Sequence, residues 1–292
     1  MSTALLRALG AYLLWGIFPL YFVLLADVAP LEVLAHRVLW ASVLLLAVMA
    51  VLGQLSQLKQ LCKNKGLLLW LSLAAVMLSI NWGTYIYSIS TNQALEASLG
   101  YFINPLVNIV LAMLFLGERL SRAQWIAIAL AATGIVLQLW QLGSLPLISI
   151  ALAFSWGIYG LIKKKVKLPA LAALTAETLV MLPLAIAYLC YLQSQGQLAF
   201  SRELHYTWLL PLSGIVTALP LFLFGAAAKQ LSFITLSFLQ YMTPTMVFFI
   251  AIFVFAEPLS VTKLWTFGFI WLGLAIFSLD SLRQHRRRAK GV

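Results

Sequence analysis

The sequence predicts an all-α integral membrane protein: ten transmembrane helices arranged as two inverted five-helix repeats. Three observations predict it. Of 292 residues, 63% are hydrophobic and only 9% charged, with a mean hydropathy of +0.99, whereas a water-soluble domain carries about 25% charged residues. Mostly apolar stretches of the length that crosses about 30 Å of hydrocarbon recur along the whole chain. Short motifs also return 139 to 141 positions later.

Arg7 and the apolar stretch from Ala8 to Ala26 open the chain. A signal-peptide core runs only about 7 to 15 residues, so this stretch is expected to stay as the first span, Leu5 to Leu25. The others, set apart by turn residues or charges, are Leu31 to Leu52, Leu67 to Ser90, Ala94 to Leu116, Ala123 to Trp140, Leu145 to Ile162, Leu168 to Tyr191, Tyr206 to Ala228, Phe233 to Phe255 and Val261 to Leu279. Helix is the assignment because a spanning segment must satisfy its own backbone in lipid, and the alternation of a barrel strand is absent. The longest connections, Gly53 to Gly66 and Leu192 to His205, are too short for a soluble domain.

Nineteen Lys and Arg face eight Asp and Glu, a formal charge of +11. In a soluble protein this would suggest nucleic acid; here its placement is topological. With the N-terminus inside, 16 of the 19 fall on the cytoplasmic side: Arg7, Lys59, Lys63, Lys65, Arg119, Arg122, Lys163 to Lys165, Lys167, Lys229, Arg283, Arg286 to Arg288 and Lys290. Both termini are therefore expected in the cytoplasm, and the basic tail is expected to hold anionic lipid rather than nucleic acid. Arg37, Arg202 and Lys263 remain. Cys62 is placed inside and Cys190 near the outer surface, which leaves no intramolecular bridge.

Trp15-Gly16-Ile17 returns as Trp156-Gly157-Ile158, an offset of 141. Pro105, Glu118 and Leu120-Ser121 return as Pro244, Glu257 and Leu259-Ser260, an offset of 139. The expected halves are residues 1–141 and 145–292. Five spans per half force the second copy to enter the membrane inverted, the design of many secondary transporters, with a site near the midplane.

The run Glu96-Ala97-Ser98-Leu99-Gly100-Tyr101-Phe102-Ile103-Asn104-Pro105-Leu106-Val107-Asn108 resembles the hallmark stretch of the RarD-type transporters, in the EamA branch of the drug/metabolite transporter superfamily. So do Glu32 through His36-Arg37, Asn81-Trp82, Gly117-Glu118-Arg119-Leu120, Glu177-Thr178-Leu179, Gln240-Tyr241 before Pro244, and Phe269-Ile270-Trp271. The resemblance covers essentially the whole chain. It implies a ten-helix exporter of small metabolites or drugs in a bacterial cytoplasmic (inner) membrane, and fixes no substrate. Two departures, Ala256 where the first copy has Gly117 and Thr243 where it has Asn104, suggest that the halves are not functionally equivalent.

Charges at membrane depth cost about 2.5–3.5 kcal/mol each and are functional candidates by default. Arg37 lies roughly 9 Å into the second span, and Glu177 about nine residues into the seventh. At the 141 offset Glu177 corresponds to His36. The expectation is that Arg37 or His36 and Glu177 face one central cavity, with Glu177 taking a cationic or proton-donating group. Against it stand snorkelling by Arg37 and helix capping by Glu177. Glu96, Gly100, Asn104 and Asn108 share one face at every fourth residue; packing suffices for Gly100 and Asn108. Pro105 and Pro244 free the carbonyls of Tyr101 and Gln240, so that these prolines are candidate hinges, and Tyr101, Asn104, Gln240 and Tyr241 candidate ligand contacts. Asn81, Trp82 and Tyr85 sit inside a span and would line an aromatic cavity for amphipathic or aromatic small molecules.

His36, His205 and His285 are far apart, and the chain has neither H-E-x-x-H, G-x-S-x-G, P-loop nor dinucleotide fingerprint. No cofactor, metal or catalytic residue is assigned, and an enzyme is not expected. A secondary transporter for a small-molecule substrate is, with proton coupling and solute exchange both open. An importer of amino-acid-like or vitamin-like solutes is the competing reading; a membrane-embedded enzyme and a channel stand behind it.

Overall fold

The computed structural model describes residues 3–91, 93–142, 146–200, 202–256 and 261–289, without the side chains of 62, 94, 95, 141, 142, 263 and 282–289. Among the described residues every regular element is a helix: α1 (Thr3–Gly16), α2 (Phe18–Phe22) with a short 3-10 turn behind it, α3 (Pro30–Val51), α4 (Leu55–Lys63), α5 (Lys65–Ser90), α6 (Ala94–Leu116), α7 (Arg122–Leu142), α8 (Leu147–Lys165), α9 (Ala170–Ser194), α10 (Tyr206–Ala228), α11 (Phe233–Gln240), α12 (Met242–Phe253) and α13 (Val261–Ala289). Among these residues are ten segments long and apolar enough to span a bilayer, at the expected places: Thr3–Leu25, Pro30–Val51, Lys65–Ser90, Glu96–Leu116, Arg122–Trp140, Leu147–Lys165, Ala170–Ser194, Tyr206–Ala228, Phe233–Phe253 and Leu264–Ser281.

Large apolar side chains cover the outside, among them Val51, Leu114 and Leu184, and the span-end tryptophans Trp125, Trp140, Trp208 and Trp265 are all exposed. That is the surface a bilayer requires.

Three details depart from a plain ten-helix reading. The connection from Gly53 to Gly66 folds into α4, whose Leu55, Leu58 and Leu61 recur every three residues; Leu61 is buried. The first span breaks at Ile17, just ahead of Pro19. The ninth breaks at Tyr241, where Pro244 lacks the N–H that would bond the Gln240 carbonyl, whereas α6 runs unbroken through Pro105. Glu257, Leu259 and Ser260 of the repeated motif lie outside the described residues, as do the side chains of Cys62 and of the basic tail. Cys190 is exposed and free.

Helices pair in matching sets. α8 packs on α5 and α6, as α1 packs on α10 and on α11 and α12; α3 packs on α9 and α10; α7 pairs with α13. Glycines set the closest approaches. A Cβ on Gly134 would stand 3.0 Å from the Thr266 carbonyl oxygen, and one on Gly273 only 2.8 Å from that of Ala127. Gly134 and Gly273, like Ala127 and Thr266, are 139 positions apart, so the two contacts are the same contact made twice. Their register, 127 with 273 and 134 with 266, runs α7 and α13 antiparallel. Likewise a Cβ on Gly16 would meet Met246 at 2.7 Å, and one on Gly157 would meet Leu111 at 2.8 Å and Val107 at 3.2 Å; Val107 and Met246 are again 139 apart.

Gly117 ends α6 in the left-handed region at φ 65°, and its counterpart Ala256 keeps nearly the same conformation at φ 53°. An L side chain there costs about 1–2 kcal/mol. Ala256→Gly should therefore raise the melting temperature in detergent, and Gly117→Ala should lower it; identical melting points for all three proteins would show that neither position is held in this conformation.

Candidate functional site

Two polar clusters sit at opposite ends of the bundle. At the basic end, α8 finishes with Lys163, Lys164 and Lys165, and the rotation of about 100° per residue sends each a different way. Lys163 turns inward, its Nζ 2.9 and 3.0 Å from the two carboxylate oxygens of Glu177 on α9. The Tyr159 hydroxyl donates to the same carboxylate at 3.3 Å. Lys164 donates to the Leu231 carbonyl, and Lys165 lies over the Phe115 ring. Glu177 and Lys163 are 0% and 3% exposed, which makes this a buried ion pair. Above it stands an aromatic stack: Tyr159 against Trp156 and Phe224, and Trp156 edge-to-face with Trp15 at 5.1 Å. The two Trp-Gly motifs thus meet each other. Tyr12, against Trp15, donates to the Leu236 carbonyl at 3.0 Å.

Lys229, at the end of α10, borders a cleft of about 470 Å³ lined also by Arg7, Gln54, Leu168 and Phe222. Burial and then repulsion from Lys163 pull its pKa down to about 8, against attraction from Glu177.

At the other end, Arg37 on α3 donates through Nε to the Thr217 hydroxyl of α10 at 2.9 Å. Its guanidinium carbon lies 4.6 Å from the Trp82 ring centroid and 5.4 Å from that of Phe22. Tyr21, Tyr85 and Tyr101 are close enough for electrostatic interaction with it, and the Tyr85 and Tyr101 rings meet at 6.1 Å. Arg37 is half-buried, while Tyr85 and Tyr101 are exposed. Three of the expected residues from two helices, Trp82, Tyr85 and Tyr101, thus gather around Arg37.

The remaining candidates lie elsewhere. Glu177 takes Lys163 and Tyr159 as partners, and among the described residues it forms no ion pair with Arg37. His36, one residue from Arg37, points away: its ring stacks on Phe200 at 5.2 Å and stands 3.8 Å from Glu32. Asn81 ties α5 to α8 by donating to the Leu152 carbonyl at 2.9 Å and to Ser155 at 3.1 Å. Glu96 accepts the Ile148 N–H at 3.2 Å and so caps α8. Tyr241 donates to the Phe102 carbonyl at 3.3 Å within an apolar cluster. Gln240 accepts from Asn108 at 3.0 Å and joins α11 to α6. Asn104 is buried with its carbonyl oxygen unpartnered among the described residues.

Sequence reasoning placed Lys163 among the topological charges and missed its partnership. One signal was available: α8 and α9 form a hairpin with a four-residue link, and 1.5 Å per residue puts Glu177 only about 7 Å deeper than Lys163, within reach of a lysine stem. Glu118, taken as a repeat marker and as part of a family motif, accepts the Phe233 and Ile234 N–H groups at 2.7 and 2.9 Å and caps α11.

The model of the EamA-like transporter family matches residues 2–140. Protein RarD of Escherichia coli is 44% identical over 290 residues, 98% of this chain and 97% of that one. An uncharacterized transporter of Vibrio cholerae is 45% identical over 293 residues, 98% of this chain and 96% of its own. The chain belongs to the RarD-type EamA transporters. A solved structure described only as a protein crystal structure matches the transporter with a TM-score of 0.75 at 18% identity, covering 95% of this chain and 98% of that one, and so shares the fold. This RarD-type chain is accordingly a multi-pass membrane transporter.

Removing one partner of a buried pair costs about 3–5 kcal/mol. Lys163→Ala should destabilise the transporter by that order, and Lys163→Met with Glu177→Leu should recover most of it; a double variant that melts below both single variants would show that the charges are not paired in the folded state. Because the folded Lys229 holds its proton less tightly than the usual 10.5, its charged form opposes folding below about pH 8, and that opposition fades as pH rises towards 10.5. Lys229→Gln should raise the melting temperature most below pH 8 and least near pH 10.5; a pH-independent difference would remove the assignment.

Proposed function

We propose that this transporter exports small metabolites or drug-like molecules across a bacterial inner membrane, both termini cytoplasmic, by alternating access between two inverted five-helix repeats. The antiparallel crossing of α7 and α13, where counterparts 139 positions apart exchange contacts, supports the inverted arrangement. An axis in the membrane plane relates such repeats.

The observation that carries the mechanism is the inequality of the two ends. At one, the Arg37 guanidinium stands half-buried among Trp82, Tyr85 and Tyr101 with accessible ring surfaces. At the other, Lys163, Glu177 and Tyr159 pack under a stack of Trp15, Trp156 and Phe224. The Arg37 end thus keeps a partly exposed cation, while at the other end the Lys163–Glu177 pair is buried beside the cleft that Lys229 borders, an asymmetry that suits one half of an alternating-access cycle. Under the charge topology, the Arg37 end faces outward. A solute entering from the cytoplasm requires the Lys163–Glu177 closure to part, and a proton on Glu177 would weaken it by removing one of the two charges.

Counterflow in proteoliposomes with a metabolite mixture, followed by mass spectrometry, should show saturable exchange. Glu177→Gln should lower the rate at least tenfold or flatten its pH dependence. Flux that never saturates points to a channel and ends the carrier reading; rates for Glu177→Gln equal to wild type at every pH end the role given to this carboxylate.

A further inference from the structure

Arginine carries five N–H donors in a planar fork and no acceptor. At Arg37, Nε is used by Thr217. The two terminal nitrogens have no acceptor among the described residues, yet they are not sealed in: Arg37 is half-buried, and neither nitrogen belongs to the fully buried unpartnered atoms. Trp82 and Phe22 lie over the guanidinium, 4.6 and 5.4 Å from their ring centroids. Rings satisfy a guanidinium through its faces and leave its in-plane donors unused. Such a group presents its free edge to a planar oxyanion.

The natural counter-ion would be a carboxylate of the chain, and all but Glu257, which lies outside the described residues, can be followed one by one. Glu32 accepts from the Ala199 N–H, Glu96 from Ile148 and Glu118 from Phe233 and Ile234. Glu177 belongs to Lys163, Glu203 to His205, and Asp280 to Ser121. Asp27 is exposed near Tyr206. Among the described residues, none meets Arg37. The charge is set at membrane depth, where an unpaired cation is expensive, in surroundings that give it rings and phenols.

Resting on the transporter reading above, we propose that the transported solute is an organic carboxylate with an aromatic or apolar body. Its carboxylate takes the two terminal nitrogens of Arg37. Its body lies against Trp82, Tyr85 and Tyr101, and the Tyr85 and Tyr101 hydroxyls, which have no hydrogen-bond partner among the described residues, serve its polar substituents. A cationic solute is disfavoured by the same charge. Thr217 is a positioning residue, holding Nε so that the fork faces outward.

The test uses the purified full-length transporter in detergent and three probes that share one ring system and differ in the head: 2-naphthoate, 2-naphthamide and 2-naphthylmethylamine. Naphthoate should bind saturably, the amide at least tenfold more weakly, and the amine should fail to displace naphthoate. Arg37→Gln should bring naphthoate down to the level of the amide, and Arg37→Lys, which keeps charge without the fork, should fall between. Equal affinity for acid and amide, or preference for the amine, overturns the proposal, and this comparison holds in the wild-type protein even if Arg37→Gln does not fold. Naphthoate binding unchanged in a folded Arg37→Gln also overturns it. Binding without saturable counterflow of any solute would remove the transport reading and leave the anion site; saturable counterflow without naphthoate binding would do the reverse.

Discussion

Trp15 and Trp156 meet at the centre of the bundle, and the rest of the arrangement depends on how closely the two halves approach there. In lipid, apolar side chains gain little by turning from the bilayer to one another, so helix association relies on tight packing and hydrogen bonds. The glycine after each tryptophan admits the other half: Gly16 seats Met246, and Gly157 seats Leu111 and Val107. A Cβ at either would fall below 3 Å from a neighbour, and no well-packed core accepts that without moving. The same economy recurs where Gly134 meets Thr266, Gly273 meets Ala127 and Gly214 meets the backbone of Trp40.

On this frame the few charges are distributed unequally. Phe22 and His36 are the counterparts, at an offset of 141, of Lys163 and Glu177. Lys163 and Glu177 form a buried ion pair; of their counterparts, His36 stacks on Phe200 and Phe22 lies beneath Arg37. Positions related by the 141 offset thus carry different chemistry. One end buries a pair of opposite charges, and the other sets a single cation among rings.

Several motif residues owe their identity to helix ends rather than to a solute. Glu96 and Glu118 each supply a carboxylate to the first N–H groups of a helix, α8 and α11, which in a membrane have no water to turn to. Asn81 and Asn108 spend their amides on neighbouring helices. Reasoning from four-residue spacing and from position inside a span grouped Glu96 and Asn81 with Arg37, because both criteria mark a residue as unusual without saying what satisfies it.

The spans, their order, the placing of most basic residues at one end and the returning motifs were determined by the sequence alone, because hydropathy and residue offsets are properties of short windows along the chain and need no knowledge of contacts. Arg37 and Glu177 could be singled out on the same ground. Their partners could not. Lys163 differs from Lys164 and Lys165 only by a rotation of about 100° per residue about the helix axis, and Thr217, Phe22 and Trp82 reach Arg37 from three separate helices. Only the tertiary structure decided that Glu177 faces a lysine while Arg37 faces aromatic rings, since the azimuth of each helix is set by packing against its neighbours.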